Sequence, residues 1–294
     1  MQRVFILSLT IVCALGCGSQ GGSPIDSASG DAAKPTAPAV VPSQTEPPMV
    51  RIPAGFFVMG SPDLGEAEKP AHRVYLDEYY IGLFEVTNAQ YKTFCHATGY
   101  SYPVVTWEPD GETTASDLIN KPNFPVVGIN WEDAVAYCRW LSETTGKQYR
   151  LPTEAEWEKA ARGGLEGKKY PWGDEAPEAG GRYRANVGSE ADNNRLRKRD
   201  GFLYTAPVGS FPPNGYGLYD VAGNVWEWCA DIYDENYYCY SPEMNPLGPA
   251  SGQKRVLRGG SWWGGPSRLP CAARLWNYPF IRYASTGFRV AMTP

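Results

Sequence analysis

Along residues 50–61 the apolar positions fall in two short runs, Val50-Arg51-Ile52 and Phe56-Phe57-Val58-Met59, separated by Pro53-Ala54-Gly55. Runs broken by a Pro/Gly turn predict two short strands. Residues 66–73 are polar and predict a loop, and residues 74–81 restore the strand pattern. The period then lengthens. Tyr91, Phe94 and Cys95 recur at helical spacing behind Thr87 or Asn88, either of which can cap a helix that Gly99 closes. Pro125-Val126-Val127-Gly128-Ile129 reads as a further short strand. Ala134, Val135, Tyr137, Cys138 and Leu141 then make one face of a second helix, starting at Asn130 or Asp133 and ending at Gly146. Thr153 and Glu156 frame a third helix start as a capping box: the hydroxyl takes one free backbone N–H and the carboxylate returns to another. Gly163-Gly164 ends that helix.

Beyond residue 164 the helical period disappears. Tyr170-Pro171-Trp172-Gly173, residues 205–214 and Arg258-Gly259-Gly260-Ser261-Trp262-Trp263 are turn-rich and aromatic. The pattern as a whole predicts an α+β domain of short strands, about three helices and long ordered loops. Loops on that scale call for a function or a staple. Composition agrees, with 32 Gly and 26 Pro for turns and 10 Trp and 19 Tyr for packing. The formal net charge of -5 argues against nucleic acid as a partner.

The first residues differ from the rest. Met1-Gln2-Arg3 and the apolar run 4–15 have the form of an export signal, too short for a comfortable membrane span. The run ends in Ala14-Leu15-Gly16-Cys17, which resembles a bacterial lipobox. The resemblance implies that residues 1–17 are a lipoprotein signal peptide, with Cys17 lipidated as the mature N-terminus. The alternative is an ordinary cleaved signal with an incidental cysteine. Residues 18–48 are rich in Gly, Ser, Ala and Pro and predict a flexible tether. The plan is a lipid anchor, a tether and one folded domain over residues 49–294, held at the periplasmic side or the cell surface.

Within that domain, residues 215–228 combine glycine-punctuated turns with closely spaced oxygen donors. Asp220 and Glu227 bracket Gly223-Asn224. Carboxylates beside bent backbone carbonyls suit calcium, which takes roughly 6–8 oxygen ligands. The plainer reading has Asp220 capping a turn and Glu227 facing solvent.

Several motifs then occur in order: Phe57-Val58-Met59-Gly60, Glu85-Val86-Thr87-Asn88, residues 150–158, Tyr170-Pro171-Trp172-Gly173, residues 205–214 and 217–228, Arg258-Gly259-Gly260-Ser261 and Gly287-Phe288-Arg289. On these motifs the chain resembles the formylglycine-generating enzymes, or sulfatase-modifying factors, over residues 49–292. The resemblance implies a C-type-lectin-related fold with little regular secondary structure and two structural calcium sites. One site maps to Asp220, Gly223, Val225 and Glu227. The other maps to Asn186, Val187, Asp200 and Phe202, with Val187 and Phe202 serving through backbone carbonyls.

The family's chemistry oxidises a substrate cysteine to formylglycine at a copper(I) site of two cysteines, shortly after Arg-Gly-Gly-Ser. Soft thiolates suit copper(I). Here residues 259–270 contain no cysteine, and the stretch is about three residues shorter than the family's. Cys271, in Cys271-Ala272-Ala273-Arg274, matches a structural cysteine of the family, whose usual partner position holds Ala161. Copper is therefore not expected. Iron is not expected either: the only histidines are His72 and His96, and a facial triad would need both to converge with a carboxylate. No Gly-x-Ser-x-Gly elbow, phosphate loop or zinc-spaced array is present. The basic run 195–199 reads as the solvated exterior of a calcium loop.

In an exported setting disulfides are expected. Cys95 and Cys138 could pair, as could Cys229 and Cys239, leaving Cys271 odd. Two functions remain open. One is a calcium-stabilised binding or accessory module, with Trp226, Ser261, Trp262, Trp263 and Cys271 near an aromatic cleft that also draws on Trp276 and Tyr278, for an exported peptide, protein or glycan; the plainer reading of the aromatics is core packing, which would claim at least half of them. The other is an oxidoreductase-type enzyme of the superfamily, modifying an exported peptide or siderophore-like precursor without copper, as pyoverdine-maturation relatives suggest.

Overall fold

The structure, a computed structural model, describes residues 45–103, 120–188 and 200–294. Cys17, the tether up to residue 44 and the basic run 195–199 lie outside the described residues. Strands β1 (Met49–Ile52) and β2 (Gly55–Met59) form at the two apolar runs. They do not pair with each other. Strand β2 pairs with β3 (His72–Leu76) and β1 with β4 (Tyr79–Gly82), so the apolar stretch 74–81 is the end of one strand and the start of another. The break falls at Asp77, whose N–H donates to Asn245 Oδ1 at 2.9 Å and whose carboxylate accepts from Asn245 Nδ2 at 2.9 Å. A backbone N–H given to a side chain cannot continue the ladder.

Helix α1 (Asn88–Thr98) is capped by Thr87 in a box with Gln90. Asn88 lies inside it, donating to the Lys121 carbonyl at 3.0 Å. Helix α2 (Trp131–Thr145) uses both candidate residues: Asn130 caps, and Asp133 returns a carboxylate to the Asn130 N–H. Two-residue β5 (Tyr149–Arg150) leads into α3 (Glu154–Arg162), with Thr153 and Glu156 boxed. Gly99, Gly146 and Gly163 close the three helices in the left-handed region, at φ 74, 73 and 59°. An added Cβ at Gly215 would meet the Gly163 carbonyl at 2.3 Å, so glycine at 215 allows the next loop to lie against the end of α3.

Residues 125–129 are not a strand. They make one isolated bridge, Pro125 to Thr87, and single bonds such as Val126 N–H to the Val86 carbonyl at 2.9 Å. Val126, Val127 and Ile129 are apolar because they are fully buried, which periodicity alone cannot distinguish from strand. The turn-rich half holds strands that its pattern did not announce: β6 (Trp226–Ile232), β7 (Arg255–Arg258), β8 (Arg274–Asn277) and β9 (Thr286–Gly287). They form one sheet in the order β8-β7-β6-β9, with β9 parallel to β6. A second sheet runs β1-β4-β10-β5 through the short β10 (Ala291–Met292). Helices α1 and α2 pack over Trp226, Trp228 and Phe288, while Trp157 of α3 joins Ile52, Ile81 and Val256 in a separate cluster.

Ionic groups run through this second cluster. Arg258 on β7, fully buried, donates to Glu158 at 2.5 Å and approaches Glu154 at 3.3 Å. Arg274 on β8 donates to Glu154 at 2.7 Å, and Arg162 closes on Glu158 at 2.6 Å. Burial pushes the Glu158 carboxyl up, but Arg162 and Arg258 outweigh it and hold it below the usual carboxylate range. These pairs clamp α3 to the β6–β9 sheet. Removing one partner of a buried pair strands the other charge, so Arg258→Ala is expected to lower stability by about 3–5 kcal/mol. Chemical denaturation checks this; a loss under about 1 kcal/mol, the scale of an exposed pair, would contradict the clamp.

Candidate functional site

Residues 205–227 wrap around a set of buried carboxylates. Asp220 and Asn224 both sit at positive φ, 55 and 59°, so the backbone between them is sharply bent. At Gly223 an added Cβ would lie 2.2 Å from the Asn186 carbonyl oxygen, which presses the 186 loop against the turn. The Asn224 N–H donates to that same carbonyl at 2.9 Å. Its side chain ties three segments together, donating to Glu85 at 2.9 Å and accepting from Ala206 N–H and Asn186 Nδ2.

Glu227 does not face solvent. It is 0 % exposed on β6, and both its oxygens accept from the Arg289 guanidinium, at 2.6 and 2.7 Å. Its Oε2 also accepts from the Trp157 indole N–H at 2.7 Å. Among the described residues, the buried carboxylate oxygens left without partners belong to Asp220 (Oδ1) and Glu85 (Oε2), and the Thr205 hydroxyl is likewise unpartnered. Glu85 was not among the residues the sequence marked as ligands. The available signal was a charge inside the apolar run Leu83-Phe84-Glu85-Val86, and likewise Arg289 between Phe288 and Val290.

Three buried carboxylates, Glu85, Asp220 and Glu227, thus face one guanidinium. Burial, reinforced by Asp220, drives the Glu85 carboxyl well above its ordinary value. Burial also pushes Asp220 up to about 7. Such an excess of buried negative charge must be neutralised by protons or by a cation. The orphaned oxygens, the acidic excess and the bent backbone fit a hard cation. Asp220 and Glu85 are the free side-chain donors, with Gly223 and Val225 carbonyls nearby in the chain. Among the described residues no three His, Cys, Asp or Glu side chains form a complete metal cage, so backbone carbonyls would have to supply the rest.

The second set also comes together. Asp200 accepts from the Val187 N–H at 2.7 Å and the Phe202 N–H at 3.0 Å, and Asn186 donates to the Tyr204 carbonyl at 2.8 Å. Burial raises Asp200 to about 6, against the pull of those N–H groups. Asp200 is the lone carboxylate of the four, so this set has less charge to offer a cation than the first.

The expected aromatic cleft does not form as one site. Trp226 and Trp262 are 7 and 2 % exposed, and Ser261 is 1 % exposed. Trp226 packs in the cluster over α1 and α2, while Trp262 meets Tyr204 edge-on and donates its indole N–H to the Ala284 carbonyl at 3.2 Å. Trp263 is half-buried against Trp262. Cys271 lies in the other core cluster, its carbonyl accepting from Arg258. Trp276 and Tyr278 meet edge-on at 5.9 Å on the surface end of β8. Core packing, the plainer reading of these aromatics, holds for Trp226 and Trp262, whose rings are buried. A cavity of about 790 Å³ runs instead along α2 and β5, past Trp131, Val135, Tyr149 and Arg150.

The expected disulfides are absent: Cys95, Cys138, Cys229, Cys239 and Cys271 are all free thiols. Cys95 and Cys138 share a core cluster, but Tyr91 and Phe94 of α1 pack against Tyr137 of α2, with ring centroids 5.8 and 5.7 Å from it. Cys229 is fully buried on β6, whereas Cys239 is exposed on a short turn. Burial raises Cys95 to about 11 and Cys271 to about 12, and it raises Cys138 and Cys229 as well. Thiols held in that state are poor nucleophiles and poor metal ligands.

Comparison with known proteins places this geometry. The profile of the sulfatase-modifying factor enzyme 1-like domain matches residues 34–294. A formylglycine-generating enzyme of Streptomyces coelicolor is 40% identical, with 88% of this chain and 93% of that protein covered. The inactive C-alpha-formylglycine-generating enzyme 2 of Mus musculus is 35% identical, with 84% and 86% covered. Among solved structures, PvdO from Pseudomonas aeruginosa superposes with a TM-score of 0.71 at 32% identity, covering 84% of this chain and 95% of that one.

Brief alkylation of the native protein at neutral pH, mapped by mass spectrometry, is expected to label Cys239 and spare Cys95, Cys138, Cys229 and Cys271. Full unfolding without reductant should expose all five. Four thiols that stay blocked when unfolded would restore the disulfides.

Proposed function

We propose, for a chain that belongs to the sulfatase-modifying factor family, a binding or accessory role rather than formylglycine generation. One observation carries the reading. The stretch after Arg258-Gly259-Gly260-Ser261 has no cysteine before Cys271, and Cys271 is a buried thiol raised to about 12. Oxidation of a substrate cysteine through copper(I) needs two accessible thiolates, and this arrangement supplies neither. Family membership and the 40% identity to a formylglycine-generating enzyme support the scaffold, not that reaction. A murine relative of comparable identity already bears the name of an inactive enzyme.

In this reading calcium occupies the Asp220 hub and, more weakly, the Asp200 set, and holds the long loops in place. The chain is exported and tethered through Cys17, where it engages an exported peptide, protein or glycan. Support for export comes from the first residues alone, in the signal-like run and the lipobox.

A second reading keeps an enzyme. It rests on the likeness to PvdO, which extends over nearly all of that chain. Under it, the domain modifies an exported peptide or siderophore-like precursor without copper.

Purified protein incubated with a Cys-x-Pro-x-Arg peptide, copper and oxygen is expected to leave the cysteine intact by mass spectrometry. Appearance of the aldehyde at that cysteine would overturn the binding reading.

A further inference from the structure

A small cavity of about 200 Å³ lies on the outer side of the carboxylate hub. Its walls are Trp172, Pro212 and Pro213, its rim carries Arg182 and Arg184, and Asp220 forms part of its floor. The two arginines, two residues apart, both line the same cavity. Arg184 is half-buried and shared with Glu175. Arg182 is exposed and has no carboxylate partner among the described residues.

The walls are fixed before any ligand arrives. Trp172 stacks on Tyr170 at 5.1 Å with planes 12° apart, and its indole N–H donates to the Glu175 carbonyl at 2.9 Å. Asn214, next to the proline pair, donates to the Ala160 and Ala161 carbonyls and accepts from the Tyr216 and Leu218 N–H groups. A rigid concave wall loses little entropy on binding. Guanidinium forks and an indole lining one cavity match a planar or tetrahedral oxyanion attached to a flat ring.

We propose that this cavity is a binding site, taking a small ligand that carries a carboxylate or sulfate group on a flat ring. Arg182 and Arg184 hold the oxyanion and Trp172 packs against the ring. Asp220 on the floor would repel an anion if it were ionised and bare. The site therefore rests on the calcium reading in one respect: a cation on Asp220 turns the floor from repulsive to attractive.

Isothermal titration of phenyl sulfate, benzoate and inorganic sulfate into the full-length chain tests this, with calcium content measured on the same samples. At least one ring oxyanion is expected to bind more tightly than inorganic sulfate. Arg182→Ala should weaken it about tenfold, the scale of one charged hydrogen bond. Arg139→Ala, an exposed arginine on α2, should change nothing. Arg182 is exposed, so its loss leaves the fold intact, and unchanged thermal unfolding verifies that. Equal affinity in Arg182→Ala, or no saturable heat from either ring oxyanion, overturns the site. If the chain holds no calcium yet binding stays Arg182-dependent, the oxyanion site stands and the calcium reading fails. If calcium is present and neither ring compound binds, the oxyanion site alone fails.

Discussion

The Glu227–Arg289 fork is the contact on which the rest of this domain depends. Both residues are fully buried, and each side chain serves more than its partner. Arg289 also donates to the Gly82 carbonyl and the Tyr219 carbonyl, at 3.0 Å each, so it joins the end of β4 to the loop that carries Asp220. Glu227 accepts from Trp157 of α3, which brings the helix to the same point. A buried ion pair gains little net energy over an apolar pair of the same shape, because both charges must leave water. Its value here is positional: donors and acceptors in fixed directions define one arrangement for segments that have no ladder to align them.

The Arg258 and Arg274 clamps extend the same device to β7 and β8. Together they account for order in a domain whose helices span only about a sixth of its described residues and whose loops are long. The aromatic residues complete it. Trp157, Trp226, Trp228 and Trp262 each bury an apolar ring and present one N–H; those of Trp157, Trp228 and Trp262 meet a carboxylate or carbonyl, so ring packing and polar direction coincide. Around the fork this leaves an unbalanced charge. Glu85 and Asp220 sit beside a pair that is already neutral, each with one oxygen that meets no hydrogen-bond partner among the described residues, and protons or a cation must offset that charge.

How much of this the sequence disclosed depended on the kind of signal. The capping boxes at Thr87, Asn130 and Thr153 mark their helices because a cap is a local arrangement of a few residues. Strands β6 to β9 were hidden, since β6 is buried on both faces near Trp228 and does not alternate. Residues 125–129 misled for the complementary reason, being buried without a ladder. The placement of Asp220, Gly223 and Asn224 at a bent turn was legible from glycine and oxygen spacing. Glu85 and Arg289 were not, because they reach the hub from 135 residues before and 69 residues after Asp220, through tertiary contacts alone. The cysteines were misread because a compartment argument predicts pairing without knowing that Tyr91 and Phe94 pack against Tyr137.

On the proposed reading, the carboxylate hub holds a cation in a chain whose Arg258-Gly259-Gly260-Ser261 stretch lacks the family's cysteine pair. Elemental analysis of protein purified without added metal tests this most directly, paired with thermal unfolding before and after chelation and with the Asp220→Asn variant. The prediction is about one or two calcium ions per chain, a lower melting temperature after chelation, and loss of calcium in Asp220→Asn. A chain that carries no stoichiometric divalent cation and melts identically with and without chelator would contradict it.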